Sequence, residues 1–312
     1  VRFFLRHGRG RISGTASDQP SGLPHTVAYE FGGVTSVPTA DMIARFRAYL
    51  DPIIAFVDGT YQADVDLLGQ VYPDYYAIGG GYGNLLAFGV FDLNAADSSK
   101  LLARGRVAGA ATTVQPVDLG SILEQARYSW YTDSSAGLNP SAGVTGPNPD
   151  KVDAYSWLKA PRYAGVPYET GALAHMWVNG DYRRGVSVMD RHQARVKETS
   201  KIAHAMSGWL DQLDLAASSF APATIPTSGT GIGLTEAPRG ALGHWLKINA
   251  RAVAAYQVLT PTCWNCSPQD NAGVAGPLEK ALEGTPVVDP AQPTKVLRVV
   301  QSFDPCLSCA VH

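Results

Sequence analysis

The sequence predicts a mainly α fold with a minor β component. Three observations carry that expectation. From Thr39 onward, Met42, Ile43, Phe46, Tyr49, Leu50, Ile53, Ile54 and Val57 recur at helical spacing behind a plausible N-cap. Asp190 to Leu213 is the longest helical run, with Ala194, Val196, Ile202, Met206, Trp209 and Leu210 as its apolar positions. Strand-like segments are short and bounded by turn residues.

In chain order, residues 1–38 read as irregular loops rich in Gly, Ser, Thr and Pro, with a turn at Phe31-Gly32-Gly33-Val34-Thr35. Behind the first helix, a second runs from about Tyr61 to Val71 and is stopped by Pro73. Gly79-Gly80-Gly81-Tyr82-Gly83-Asn84 lacks the lysine and the strand-then-helix setting of a phosphate loop. It reads as a tight turn ahead of an apolar strand, Leu85 to Phe91. Val107 to Val114 reads as β, and Asp118 to Tyr131 as a helix carrying Ile122, Leu123, Ala126 and Trp130. Residues 132–153 form a polar surface excursion, followed by the aromatic and basic cluster from Tyr155 to Tyr163. Glu169 to Val178 is helical again, and 214–232 is a loop. The stretch 243–258 is helix or strand, and helices lie around Pro277 to Leu282 and ahead of Phe303.

With 312 residues, 45% of them hydrophobic, the chain can bury a large core. A net charge of -2 gives no reason to expect a nucleic-acid or polyanion partner. No apolar run reaches the roughly 18 residues of a membrane span, and there is no signal-peptide pattern.

All four cysteines lie in CxxC pairs, Cys263/Cys266 and Cys306/Cys309, and His312 follows the second pair three residues later. Paired thiols of this kind point to metal or redox chemistry rather than a scattered disulfide framework. A four-thiolate zinc site is one reading, although the two pairs lie further apart than the roughly 15–20 residues of a zinc ribbon, and His312 has no task in it. Two more stretches are dense in restricted backbone and donors. In Glu236-Ala237-Pro238-Arg239-Gly240-Ala241-Leu242-Gly243-His244-Trp245, proline and glycine could fix Arg239 as a cation and fork donor, or Arg239 could make an ordinary structural ion pair. The other is Val258 to Pro268, which contains Cys263 and Cys266.

Together these residues resemble the large subunit of nickel-iron hydrogenases. The resemblance rests on Asp304-Pro305-Cys306-x-x-Cys309-x-x-His312, on Glu236 to Trp245, and on Pro261-Thr262-x-Trp264-Asn265. Weaker echoes are Gly32 to Thr35, Lys159-Ala160-Pro161-Arg162-Tyr163 with Glu169, Gly276 to Leu282, Thr285-Pro286 and Arg298 to Phe303. Their order holds from about residue 22 to the end.

The resemblance implies the helical-bundle core of such a subunit, with residues 1–312 as the C-terminal part of one large-subunit domain. It implies heterolytic hydrogen cleavage at a nickel-iron centre whose iron carries carbon monoxide and two cyanides. Cys306 and Cys309 would be two of four nickel thiolates, with Cys309 bridging to iron. Arg239 would stand over the open metal position, and Pro238, Leu242, Pro261 and Thr262 would line the pocket of the diatomic ligands. His312 and the backbone carbonyl of Val258 would hold a magnesium or another divalent metal. The stop after His312 would be that of a processed, metal-loaded form. Electrons would pass to an iron-sulfur small subunit.

Three departures accompany it. The family's N-terminal CxxC, source of the other two thiolates, is absent, so that half is expected on a separate chain or on an unrecorded front of this one. Cys263 and Cys266 fall where the family has no nickel ligands and read as bystanders or tuning residues. Ala172 and His175 stand where members usually show proline and arginine. A non-catalytic relative serving structure or electron relay is the competing class, and the retention of Cys306, Cys309 and Arg239 argues against it.

Overall fold

The computed structural model describes residues 38–94, 99–216 and 226–310. The expected loops of residues 1–37, the Gly32 to Thr35 echo and His312 lie outside them. The chain divides into two compact units, Val1–Thr60 with Thr199–Ile225, and Tyr61–Glu198 with Pro226–His312.

The first unit contains α1, Ala40–Phe56. The Thr39 side chain accepts the Met42 N–H at 3.2 Å and caps the helix as its sequence suggests. Its apolar positions do not share one fate. Leu50 is buried, whereas Tyr49, Ile53 and Phe56 are exposed.

The second unit begins with α2, Gln62–Val71, which ends ahead of Pro73. The glycine run is the expected turn. Gly79 has φ 73°, and a Cβ there would lie 2.6 Å from Val188 Cγ2. Short antiparallel ribbons follow, β1 (Leu85–Ala87), β2 (Val90–Asp92), β3 (Lys100–Leu102) and β4 (Gly105–Val107), paired β1 with β4 and β2 with β3. β5 (Ile122–Gln125) pairs antiparallel with β6 (Ala160–Tyr163).

The helix α3 spans Ala172–Asn179 and stops at Gly180, whose φ of 86° suits a left-handed cap. The long helix α4, Val188–Asp211, starts two residues before its expected beginning. Ser187 Oγ accepts the Asp190 N–H at 3.2 Å and Asp190 Oδ2 accepts the Ser187 N–H at 2.9 Å, a reciprocal cap. A three-stranded antiparallel meander follows, β7 (Ser228–Ala237), β8 (Gly240–Asn249) and β9 (Ala252–Leu259). Four helices close the chain: α5 (Pro261–Asn265), α6 (Pro277–Leu282), α7 (Thr294–Ser302) and α8 (Leu307–Ala310). Leu86, Phe88, Ile122, Trp245, Leu259 and Trp264 form the centre of the main core, and Val188, Ala281, Val299 and Phe303 a second one. Among the described residues no helix is long and apolar enough to cross a membrane.

The expectation of a mainly α fold is therefore corrected. Among the described residues the architecture is mixed, 38% helix and 22% strand with several small sheets. Three segments account for the difference. Asp118 caps Gly120 N–H and the Ser121 hydroxyl, turning the chain into β5 rather than into a helix, so Ile122 and Glu124 point inward with Leu123 between them exposed. The alternating glycines Gly229 and Gly231 drew the first half of β7 into the expected 214–232 loop, because a segment with no side chains on one face shows no hydrophobic alternation. Residues 243–258 resolve as strand, reversed at Ala250 and Arg251, whose φ values of 50° and 63° make the tight hairpin turn. Val107 ends its strand instead of starting one, because Gly109 and Ala110 take φ of 58° and 56°.

Candidate metal centre

The site is built at the corner between β7 and β8. Ala237 pairs with Gly240, so Pro238 and Arg239 form the two-residue loop between them. Proline sets the first φ, and Gly240 takes φ 128°. A Cβ on Gly240 would lie 2.4 Å from Thr170 Oγ1 and 2.5 Å from Gly171 N. The corner is thus pressed against Thr170 and Gly171, the lead-in to α3. Asn265 locks the two pieces together. Its Oδ1 accepts from Thr170 N–H at 2.9 Å, and its Nδ2 donates to Thr170 O at 3.1 Å and to Arg239 O at 3.5 Å. This gives the buried asparagine of Pro261-Thr262-x-Trp264-Asn265 a physical task.

The tail reaches the same corner from the other side. Arg239 Nε donates to Asp304 O at 3.1 Å, and its Nη2 to Asp304 Oδ1 at 3.3 Å. Asp304 holds φ 51°, which turns the chain out of α7 and towards the thiols. Cys306 N–H donates to Thr262 Oγ1 at 3.3 Å. The Thr260 hydroxyl lies 3.0 Å from Cys309 O and 3.1 Å from Cys263 Sγ. Behind Arg239 and Asp304, a cavity of about 10 Å³, the size of one water, reaches the buried Glu169–Arg191 pair. Thr170 also lines it, with its hydroxyl buried and unpartnered.

Burial pushes the Cys309 thiol up to about 11, helped by its hydrogen bond with Cys306 and opposed by one with Thr262. Cys306, Cys309 and Thr262 therefore meet at one point. A metal arriving there has to displace a firmly held proton. Burial drives Cys263 up to about 11 and Cys266 up to about 12. Cys263 faces the tail through Thr260, but Cys266 does not join it. Among the described residues no three His, Cys, Asp or Glu side chains are grouped to hold a metal. All four cysteines are among the described residues, and they are not gathered into one such group.

Two adjacent thiols suit a soft or borderline metal such as nickel. Of the other expected residues, Pro261 and Thr262 are buried at the start of α5. Pro238 is exposed in the corner, and Leu242 is half-buried on β8. Val258 lines a separate cavity of about 240 Å³ with Glu124, Tyr131, Thr145, Lys159, Gln257 and Cys263. Burial raises the Glu124 carboxyl, and Lys159 at 3.8 Å opposes it. Sequence reasoning missed Glu124, because its segment reads with helical period and gives no inward direction. It also gave no role to Asp304, although Asp304 adjoins Pro305-Cys306.

A family profile described as nickel-dependent hydrogenase matches residues 20–186 and 178–312. The periplasmic NiFeSe hydrogenase large subunit of Desulfomicrobium baculatum is 38% identical, over 93% of this chain and 61% of its own length. The uptake hydrogenase large subunit of Bradyrhizobium diazoefficiens is 33% identical over 93% of this chain and 58% of its own. The reduced Ni-Fe-Se hydrogenase of D. vulgaris Hildenborough superposes with a TM-score of 0.84 at 36% identity, covering 90% of this chain and 63% of that one. The chain thus spans about three-fifths of the length of these relatives.

Proposed function

As a member of the nickel-dependent hydrogenase family, this chain is, we propose, the C-terminal part of a catalytic large subunit that cleaves dihydrogen heterolytically and reversibly and passes the electrons to an iron-sulfur small subunit. The observation that carries the reading is the meeting of the Cys306 and Cys309 thiols with Thr262, beside an Arg239 held by Asp304.

A nickel-iron centre bound there would supply redox and Lewis-acid chemistry for splitting hydrogen. Cys306 and Cys309 would give nickel two thiolates, Cys309 shared with iron. The remaining two would come from the part of the family length not covered here, on the same polypeptide or another. Thr262 Oγ1 accepts from Cys306 N–H, and its own proton, directed at the Cys309 sulfur here, would turn to an iron-bound cyanide once the metal takes that sulfur. Pro238, Leu242 and Pro261 would make the rest of the pocket for carbon monoxide and cyanide, offering them no competing charge. Arg239 would place a fixed cation and fork donor beside the reacting hydrogen, where charge develops. Asp304 aims it. A magnesium, or another divalent cation, would use the Val258 carbonyl and His312, with the Glu124 carboxylate lining the same cavity as Val258.

Metal analysis with infrared spectroscopy of the isolated protein tests the reading. Nickel and iron near one each, with carbon monoxide and cyanide stretches, are expected. Zinc alone would sink it.

A further inference from the structure

A buried charge cluster outside the thiol site stands out. The His175 ring, 1% exposed, lies on α3 between two carboxylates. Its Nδ1 is 2.6 Å from Glu198 Oε1 on α4, and its Nε2 is 2.7 Å from Glu236 Oε2 on β7. The Glu236 side chain is 2% exposed and that of Glu198 13%. Both ring nitrogens thus face acceptors, and only the imidazolium can donate to both. The second oxygen of Glu236 accepts the N–H groups of Phe88 and Gly89, the latter at 3.0 Å. One imidazole therefore links α3, α4, the end of β7 and the turn between β1 and β2.

We propose that His175 is a positioning residue: as an imidazolium clamped by Glu198 and Glu236, it fixes the corner that carries Arg239. The coupling runs along two short paths. Glu236 sits three residues before Arg239, at the end of the strand that becomes the corner. His175 N–H donates to Gly171 O at 2.9 Å, and Gly171 is itself packed so closely that a Cβ there would lie 2.8 Å from Arg239 O. The corner is thus held at both ends by the helix turn that bears the imidazole. The proposal rests on the reading of Arg239 as the cation of a hydrogen-cleaving site.

Burial by itself would drive the imidazole to its neutral form, but the two carboxylates outweigh it and raise the ring to about 10. Apart from Lys247 on β8, which is exposed, the charged groups of the strands packed on α3 are engaged elsewhere. Arg106 on β4 lies over the Tyr163 ring, Lys100 on β3 pairs with Asp92, and His244 on β8 meets the Tyr256 hydroxyl. Arg104 donates to Phe88 O, and on α4 Arg191 pairs with Glu169 while Arg195 donates to Ser302 O. Glu198 and Glu236 are the carboxylates that set the ring's charge.

The sign follows from the raised value. Stability contributed by the clamp is complete below the ordinary histidine range and is lost as pH rises through about 10. The test compares the protein as isolated with His175→Arg, a permanent cation with donors on both sides, and His175→Gln, which is neutral. Thermal midpoints are read from pH 7 to pH 11 and hydrogen turnover at pH 7. The native protein should lose midpoint relative to His175→Arg progressively from pH 7 to about pH 10 and run parallel to it above that. His175→Gln should turn over about tenfold more slowly at unchanged KM, against the roughly 10²-fold cost of a 1 Å misplacement, and His175→Arg should restore the rate. Parallel midpoint curves for the native protein and His175→Arg below about pH 10 would overturn the charged clamp, even if His175→Gln fails to fold. Native turnover in a folded His175→Gln would overturn the positioning role and leave Arg239's assignment standing. A native protein with no hydrogen turnover would overturn the functional reading and the catalytic consequence with it, while the midpoints would still report the clamp.

Discussion

Arg239 is held by Asp304, two residues ahead of the first tail thiol, through the carbonyl at 3.1 Å and through Oδ1 at 3.3 Å. The pair is partly exposed, with side chains 34% and 45% accessible, so its contribution to stability is small. Its value is positional. A guanidinium with its Nε and one Nη2 bond committed to Asp304 has one orientation.

From this follows the behaviour of Arg239→Lys. Lysine keeps the charge but not the planar fork, so it cannot hold Asp304 and present a donor at the same time. We expect nickel and iron content as in the native protein and hydrogen oxidation lower by about 10²-fold, the scale of losing one preorganised donor. Metal analysis and hydrogen-dependent dye reduction on the same preparation check it. Native turnover would remove Arg239 from its role.

Cys309→Ser separates ligand from scaffold. The Cys309 carbonyl, which accepts from Thr260, survives the substitution, so the tail keeps its anchor. The hydroxyl, however, is a poor replacement for a soft thiolate. The expected result is a folded protein, with an unchanged circular dichroism spectrum, lacking nickel and the iron ligand bands. A native metal count would refute the ligand assignment.

The parts of the fold and of this site that were legible in the sequence are those with local causes. Pro238 and Gly240 set a corner by their own backbone limits, and Thr39 capped a helix where it stood. The paired thiols of the tail advertised soft-metal chemistry by spacing alone. What escaped depends on partners distant in the chain. His175 meets Glu198 and Glu236 at separations of 23 and 61 residues, and no local pattern marks a buried imidazole as charged. The first half of β7 escaped for a different reason, since its alternating glycines erase the period by which a strand is recognised. The mixed fold follows from such tertiary pairing overriding the helical spacing of Ile122, Ala126 and Trp130.

Arg162 tests how much the surrounding frame depends on one buried cation. It is 1% exposed and donates to Asp270 Oδ2 at 2.9 Å, Ser267 Oγ at 3.1 Å, and the carbonyls of Pro161, Pro268 and Val274. Arg162→Met would fill the space but leave the Asp270 carboxylate without its cation. A loss of about 3–5 kcal/mol is expected. The combined Arg162→Met and Asp270→Asn variant should recover part of it, because the stranded charge is gone. Denaturant unfolding of the three proteins measures both terms, and an Arg162→Met variant within 1 kcal/mol of native, a threshold set well below that of a broken buried pair, would count against this account.

Gly240→Ala probes the corner itself. Two separate costs arise there. The φ of 128° lies where L residues are strained, a cost of about 1–3 kcal/mol. The new Cβ also falls 2.4 Å from Thr170 Oγ1 and 2.5 Å from Gly171 N. The first contact can be relieved by trimming Thr170, whose hydroxyl is buried without a partner and forfeits no hydrogen bond. The second is backbone and cannot, and Thr170 Cβ, 2.7 Å away, survives the trimming. Gly240→Ala should therefore destabilise by about 3 kcal/mol or more, adding the strain to the overpacking. Adding Thr170→Ala should return only part of that loss. Because Arg239 precedes the strained residue, turnover should fall alongside stability, while nickel binding at Cys306 and Cys309, on the other side of the Asp304 contact, should persist. Full rescue by Thr170→Ala would show that the side-chain clash is the whole cost, and that the glycine's backbone angle is dispensable.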